Sequence, residues 1–360
     1  MKIHRKHFNQ RGLTLLELLV VLSILAVLAT VALTSSSGLA DQARYEATQR
    51  TLENIREAVL GPANLRDTKG TLIYTGFVAD TGRLPQQPQD ALLGSPITLD
   101  ELINPHGIQP YAVRQASNTS GTNVVSGSEQ LADEDVYLGS GWRGPYLQLP
   151  PGQTEIRDGW GYLLANPDDS PNPVNHLLNS SGGTADVGDP ISQVWSFGRD
   201  NAADQPPGNA DPYDNDLSEI IKSTDYQATI KVPVTVQFIL SSDPDAPAPP
   251  ADGSTVYVSV SLFSPDPSGL LSITTQPAAT SATVASSSVD STILYTAKIL
   301  IPLSFDTTCG PRALRAYYYG ASVPSTMGPT ASSVVSSAVV YLNAVPGLNI
   351  SSLNIPVILQ

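Results

Sequence analysis

RGLTLLELLVVLSILAVLATVAL, residues 11–33, is apolar from Leu13 to Leu33 apart from Thr14, Ser23, Thr30 and a single carboxylate, Glu17. At a rise of ~1.5 Å per residue, a helix over that run spans the ~30 Å hydrocarbon core of a bilayer. Lys2, Arg5, Lys6 and Arg11 precede it. Positive charge on that side predicts a cytoplasmic leader and export of everything after Leu33. The plainer account is a secretory signal, because Gly38-Leu39-Ala40 offers a small-x-small cleavage site. Against it, the run is longer than the roughly 7–15 residues of an ordinary signal core. Glu17 adds a second argument, since an unpaired carboxylate at mid-bilayer opposes insertion by about 2.5 to 3.5 kcal/mol and therefore needs a partner.

Helical periodicity continues past the run. Ala40, Ala43, Ala47, Thr51, Leu52, Ile55, Ala58 and Val59 recur at spacings of three and four, and Gly61-Pro62 ends the pattern. A helix over residues 13–60 would be about 72 Å long, with 13–33 in the membrane and 34–60 laid amphipathically on a globular part.

The chain has 360 residues and a formal charge of -14, from 33 acidic against 19 basic residues. That balance argues against a nucleic-acid partner, which would require clustered Lys and Arg. Cys309 is the only cysteine, so neither an intramolecular disulfide nor a Cys-based zinc site can form. With 27 Gly, 30 Pro and only 14% charged residues, the composition suits a loop-rich, β-rich extracytoplasmic protein.

The segment Arg11-Gly12-Leu13-Thr14-Leu15-Leu16-Glu17-Leu18-Leu19 resembles the processing site of type IV prepilins and type II secretion pseudopilins. The resemblance implies that prepilin peptidase, a membrane aspartyl enzyme, cleaves after Gly12 and that Leu13 becomes N-methylated. Leu13 departs from the Phe or Met usual at that position. The resemblance also gives Glu17 a partner, the freed α-amine of a neighbouring pilin or pseudopilin subunit; this pairing offsets the burial of both charges and sets axial register.

Further motifs follow in that family's order. They are Asp80-Thr81-Gly82-Arg83-Leu84-Pro85, Leu99-Asp100-Glu101-Leu102, Gly141-Trp142-Arg143-Gly144-Pro145-Tyr146-Leu147, Asp158-Gly159-Trp160-Gly161-Tyr162 and Val194-Trp195-Ser196-Phe197-Gly198-Arg199-Asp200. The likeness covers roughly residues 11–220, with long inserts at about 109–136 and 166–189. Trp142, Tyr146, Trp160 and Trp195 beside glycines are explained by rings packed over tight turns. His4, His7, His106 and His176 lack metal-ligand spacing, and no Ser–His–Asp or paired-carboxylate motif is visible, so an enzyme is not expected.

From Asp200 to Glu219 the sequence DNAADQPPGNADPYDNDLSE concentrates hard oxygen donors in a turn-forming context, which suits calcium. In the major pseudopilins a Ser-x-Gly-x-Asp turn and a later Asp-x-Asp wrap one calcium ion. The matching positions here are Ser196 to Asp200 and Asp214-Asn215-Asp216. The resemblance therefore implies Asp200, Asp214, Asn215 and Asp216 as ligands, with backbone carbonyls near Ser196; a solvated acidic loop without an ion is the alternative.

After Tyr226 the composition shifts to Ser, Thr and Val. β-Branched or alternating runs occupy 229–240, 255–263, 270–275, 292–303, 314–319, 333–342 and 353–359, as expected of an immunoglobulin-like β-sandwich. Tyr317-Tyr318-Tyr319 is either an exposed adhesive patch or part of core or edge.

The fold expected is α+β: a leader (1–12), a helix (13–60), a pseudopilin-like part with a small antiparallel sheet (61–225) and a β-sandwich (226–360). The expected function is a structural subunit of a type II secretion pseudopilus or related filament. It would be held single-pass in bacterial inner-membrane lipid, with its globular parts periplasmic. The alternatives are a minor pilin or adhesin whose sandwich binds a surface or partner, and an exported hydrolase on a pilin-like anchor.

Overall fold

The computed structural model describes residues 15–68, 70–87, 97–115, 136–166, 175–204, 211–240, 257–278, 285–286, 294–320, 335–336, 339–347 and 353–359. The expected cleavage site, Gly12 and Leu13, lies outside them. Helix α1, Leu15–Leu60, is one continuous 46-residue helix, and Gly61 N donates to Glu57 O at 2.7 Å where it stops.

The large apolar side chains from Leu15 to Val31 are exposed, from 45% at Val20 to 84% at Leu15. Among the described residues no helix is long and apolar enough to cross a membrane, so the span expected over 13–33 is not found there. Residues 13 and 14 and the side chains of 32–37 lie outside the description, so the described apolar stretch, 15–31, covers about 25 Å of the ~30 Å that a span requires.

The second half of α1 buries the expected stripe at Leu52, Ile55, Ala58 and Val59 and departs from it upstream. Thr48, Leu52, Ile55 and Val59 are buried, with Asp41 and Tyr45 continuing the stripe upstream, whereas Ala40, Ala43 and Ala47 are exposed. Spacings of four and three still hold, but the early positions are polar residues with specific partners, which apolar periodicity cannot register.

Short elements follow: α2 (Phe77–Thr81), a 3-10 turn (Asp100–Leu102), β1 (Ala112–Gln115) paired with β2 (Tyr137–Ser140), and a three-stranded antiparallel sheet of β3 (Leu177–Leu178), β4 (Gln193–Ser196) and β5 (Leu217–Ile220). After α3 (Ser223–Tyr226) come β6 (Gln227–Leu240), β7 (Val258–Pro265), β8 (Leu271–Ala278), β9 (Ala285–Ser286), β10 (Leu294–Thr308), β11 (Gly310–Tyr318), β12 (Val335–Ser336), β13 (Val340–Ala344) and β14 (Leu353–Leu359). Every run expected in this region carries a strand, and 333–342 carries two.

One sheet is ordered β14-β6-β10-β9; the other is β12-β11-β7-β8, with β13 also on β11. Neither closes into a barrel. β14 lies parallel to β6, so this sheet is mixed rather than purely antiparallel, with the first and last long strands of the region side by side. Tyr317, Tyr318 and Tyr319 are buried, at 0%, 5% and 6% exposure, which removes the adhesive-patch alternative at that place. β11 is an inner strand between β7 and its partners β12 and β13, Tyr318 packs into the apolar core, and the Tyr319 hydroxyl is hydrogen-bonded to the buried Ser259.

One apolar core runs across position 226. It joins Ile55 and Val59 of α1 and Phe77 of α2 to Ile230, Val258 and Leu314 of the later strands. Each fully buried Ile, Leu or Phe contributes about 1.5–3 kcal/mol relative to exposure. Polar contacts cross at the same places: Gln109 N donates to Ser268 O at 3.0 Å, and Asn343 Nδ2 donates to Leu72 O at 2.9 Å.

Candidate functional site

The sequence motifs converge on two polar networks. In the first, Arg83 Nη1 and Nη2 donate to Glu101 Oε2 and Oε1 at 2.6 and 2.7 Å, and Gln86 N donates to the same carboxylate at 2.8 Å. Trp142 Nε1 donates to Glu101 O at 2.9 Å. Arg143 and Tyr146, from the same turn, hold the buried Asp80. Three stretches far apart in sequence are thereby knitted under α1. Buried charges of this kind need pairing, and both carboxylates have it, while Arg83 Nε stays buried without a hydrogen-bond partner.

The second network faces helix α1. Gly159 lies directly on the Arg44 carbonyl, where a Cβ would overlap the oxygen, and Gly159 N donates to Thr48 Oγ1 at 2.9 Å. Asp158 shapes this turn, its Oδ1 accepting from Trp160 N and Tyr162 N at 3.0 and 2.8 Å and its Oδ2 from Ser196 Oγ at 2.7 Å. The Tyr45 ring sits edge-on to Trp160 and Tyr213, with centroids 6.3 and 6.2 Å apart. Packing accounts for Trp160 and for Trp142, as the sequence suggested.

The acidic loop divides into two halves. Gly198 turns with φ +66°, and a Cβ there would press on the Asp214 carbonyl carbon at 2.8 Å, so only glycine brings the two strands of the loop together. On one side, Asp211 and Asp214 are ion-paired to Arg199, which also reaches Asp41 on α1. Those carboxylates hold the Arg199 guanidinium well above its ordinary pKa, Asp214 contributing most, and the Tyr213 amide with Arg199 lowers that of Asp211.

On the other side, Asp204 N donates to Asp216 Oδ2 at 3.0 Å, and Asp216 N donates to Asp204 Oδ2 at 2.8 Å. Burial raises the Asp216 pKa, and the nearby charges of Asp204 and Asp200 raise it further. Asn201, with φ +53°, has its Oδ1 buried without a hydrogen-bond partner, as is Oδ1 of Asp216.

Of the residues implied as cation ligands, the fold thus gathers Asp200 and Asp216 with Asp204, and gives Asp214 to Arg199. Asn215 lies between them on the chain, and residues 205–210 are outside the description. Among the described residues no group of three or more His, Cys, Asp or Glu side chains is arranged to hold a metal ion. The donor set is nonetheless of the hard-oxygen kind, and its two buried, unpartnered oxygens fit a cation in part.

Sequence reasoning missed Asp41 and Tyr45, and it did not foresee the pairing of Arg199 with Asp211. Arg199 stood within a quoted motif, and a lone cation followed by a run of acidic residues was the available signal.

Glu17 lies in the exposed first part of α1, away from both networks. Residues 7–33 match the prokaryotic N-terminal methylation motif, and no other domain is recognised. The motif is consistent with a type IV pilin-like protein, and prepilin peptidase processing and pilin–pilin assembly are what such a motif implies in general. No curated protein and no solved structure matches the chain.

Proposed function

We propose that this chain is a structural subunit of a type II secretion pseudopilus or a related type IV pilus-like filament, assembled through helix α1. The observation that carries it is a methylation motif running directly into a helix whose first half exposes Leu, Val and Ile and whose second half packs one face on the core. In this reading residues 13–33 cross the inner membrane, with the leader cytoplasmic and the remainder periplasmic, and residues 226–360 form an immunoglobulin-like sandwich. Cleavage follows Gly12, Leu13 is methylated, and Glu17 pairs with a neighbouring subunit's α-amine. The subunit's role is mechanical rather than catalytic. Mass spectrometry of the membrane-extracted protein should find methylated Leu13 at the N-terminus; an intact Met1, or a start at Asp41, would reject the reading.

Calcium belongs to the same proposal. Asp200 and Asp216, with Asn201 and Asp204 beside them, would hold the ion, and its charge would neutralise carboxylates that otherwise repel one another. Asp214 and Asn215 complete the set implied by sequence, Asp214 only by yielding its contacts with Arg199.

A second reading, a minor pilin or adhesin, is favoured by one observation. Tyr137 on β2 and Tyr341 on β13 are 46% and 54% exposed side by side, with Tyr137 N donating to the Tyr341 hydroxyl at 3.2 Å. Exposed tyrosines suit a contact surface. Labelling of intact cells separates the two readings, since an adhesin must be reachable from outside.

A further inference from the structure

Arg199 touches three carboxylates from two distant parts of the chain. Nη1 lies 3.2 Å from Asp41 Oδ2 on α1, and Nη2 donates to Asp211 Oδ2 at 2.8 Å and to Asp214 Oδ2 at 3.0 Å. Nε is 2.9 Å from Asp214 Oδ1, an ion-pair contact rather than a hydrogen bond. An isolated surface pair would define little, but a planar fork on three carboxylates immobilises one side chain for several charge-assisted contacts.

The backbone holds the fork in place. Arg199 N donates to Tyr213 O at 2.9 Å, and the Tyr162 hydroxyl donates to Arg199 O at 3.1 Å. Tyr45, one turn along α1 from Asp41, meets both Trp160 and Tyr213 edge-on. The loop therefore grips residues 41–48 of α1 through one cation and a small aromatic cluster.

We propose that Arg199 is an internal cation that couples the acidic loop to helix α1, holding Asp211 and Asp214 against Asp41 without a metal ion. Order in the loop is then felt by the stretch of helix that leads from the globular part to the exposed apolar half, and loss of the clamp loosens both. The coupling stands on geometry alone; only its response to calcium rests on the metal reading above. Arg199 acts here as a positioning residue.

The test is hydrogen exchange followed by mass spectrometry on the full chain in detergent micelles with a chelator present. Arg199→Ala should speed exchange in both 41–48 and 211–216, by about fivefold or more, while the β7–β11 strands stay as protected as in wild type. Asp41→Asn should speed the helix segment and leave 211–216 protected, because Asp211 and Asp214 keep their arginine. Unchanged exchange in either segment of Arg199→Ala overturns the proposal. Should that variant unfold as a whole, Asp41→Asn decides alone, and an unaltered helix segment there overturns it. Adding calcium to the wild type tests the metal reading separately: with no change at 199–216 that reading fails, while the chelator comparison still decides the clamp.

Discussion

Arg143 holds the Asp80 carboxylate through two nitrogens, Nε 3.0 Å from Oδ2 and Nη2 2.8 Å from Oδ1, and the Tyr146 hydroxyl donates to Oδ2 at 2.9 Å. Burial nevertheless dominates, pushing the Asp80 carboxyl up to about 6 against the opposing pull of Arg143 and Tyr146. A carboxyl raised above its unfolded value binds its proton more tightly in the fold. Its contribution to stability is then full below about pH 4 and is lost as pH rises through about 6. The stability difference between wild type and Asp80→Asn should therefore drift against wild type by on the order of 2–3 kcal/mol between pH 4 and 7. Denaturant titrations of the full chain in detergent at several pH values measure it, and a flat difference would contradict the burial argument.

Gly159→Ala should destabilise by about 1–3 kcal/mol, because a new methyl must displace the Arg44 carbonyl or lift the turn off the helix. Loss of the bond from Gly159 N to Thr48 Oγ1 would accompany the shift. Gly161, which has open space around its Cβ position but φ +94°, serves as a control for backbone strain without the clash. If Gly159→Ala melts like wild type, the turn does not press on α1 as described.

The long helix, its stop at Gly61-Pro62 and the strands after residue 226 could be read from the chain because each is written in a local pattern. What could not be read depends on partners distant in sequence. The inward face of α1 passes through Asp41, Tyr45 and Thr48 rather than the alanines beside them, and Arg199, Trp160, Tyr213 and Gly159 make those residues the inward ones. The core across position 226 was hidden for the same reason: composition changes at Tyr226 while Ile55, Phe77 and Ile230 share one apolar cluster. The acidic loop was visible as an oxygen-rich stretch, but its division into a half paired to Arg199 and a half in which Asp204 and Asp216 meet is a matter of placement.

Glu17→Leu should leave the folded part of the chain untouched and abolish assembly, because Glu17 is exposed on the apolar half of α1 and the core begins only at Thr48. The substitution also eases insertion, so weaker membrane anchoring cannot account for a loss of filaments. Unaltered thermal unfolding with loss of filaments, or of co-purifying subunits, is the expected pair of results. Wild-type assembly would show that the carboxylate has no role in register.

The division of the acidic loop separates the effects of its aspartates. If calcium sits with Asp200 and Asp216, it binds the folded chain alone and stabilises it by about 2.7 kcal/mol when free calcium is 100 times its dissociation constant. The full chain should melt higher with calcium than with a chelator, and Asp200→Ala with Asp216→Ala should erase that difference. Asp214→Ala should behave otherwise: because Asp214 is paired to Arg199 at 3.0 Å, its removal should lower stability already in chelator, and most of the calcium increment should survive. Equal melting with and without calcium in the wild type would leave the loop organised by Arg199 alone, and erasure of the increment by Asp214→Ala would place Asp214 on the ion instead of on the arginine.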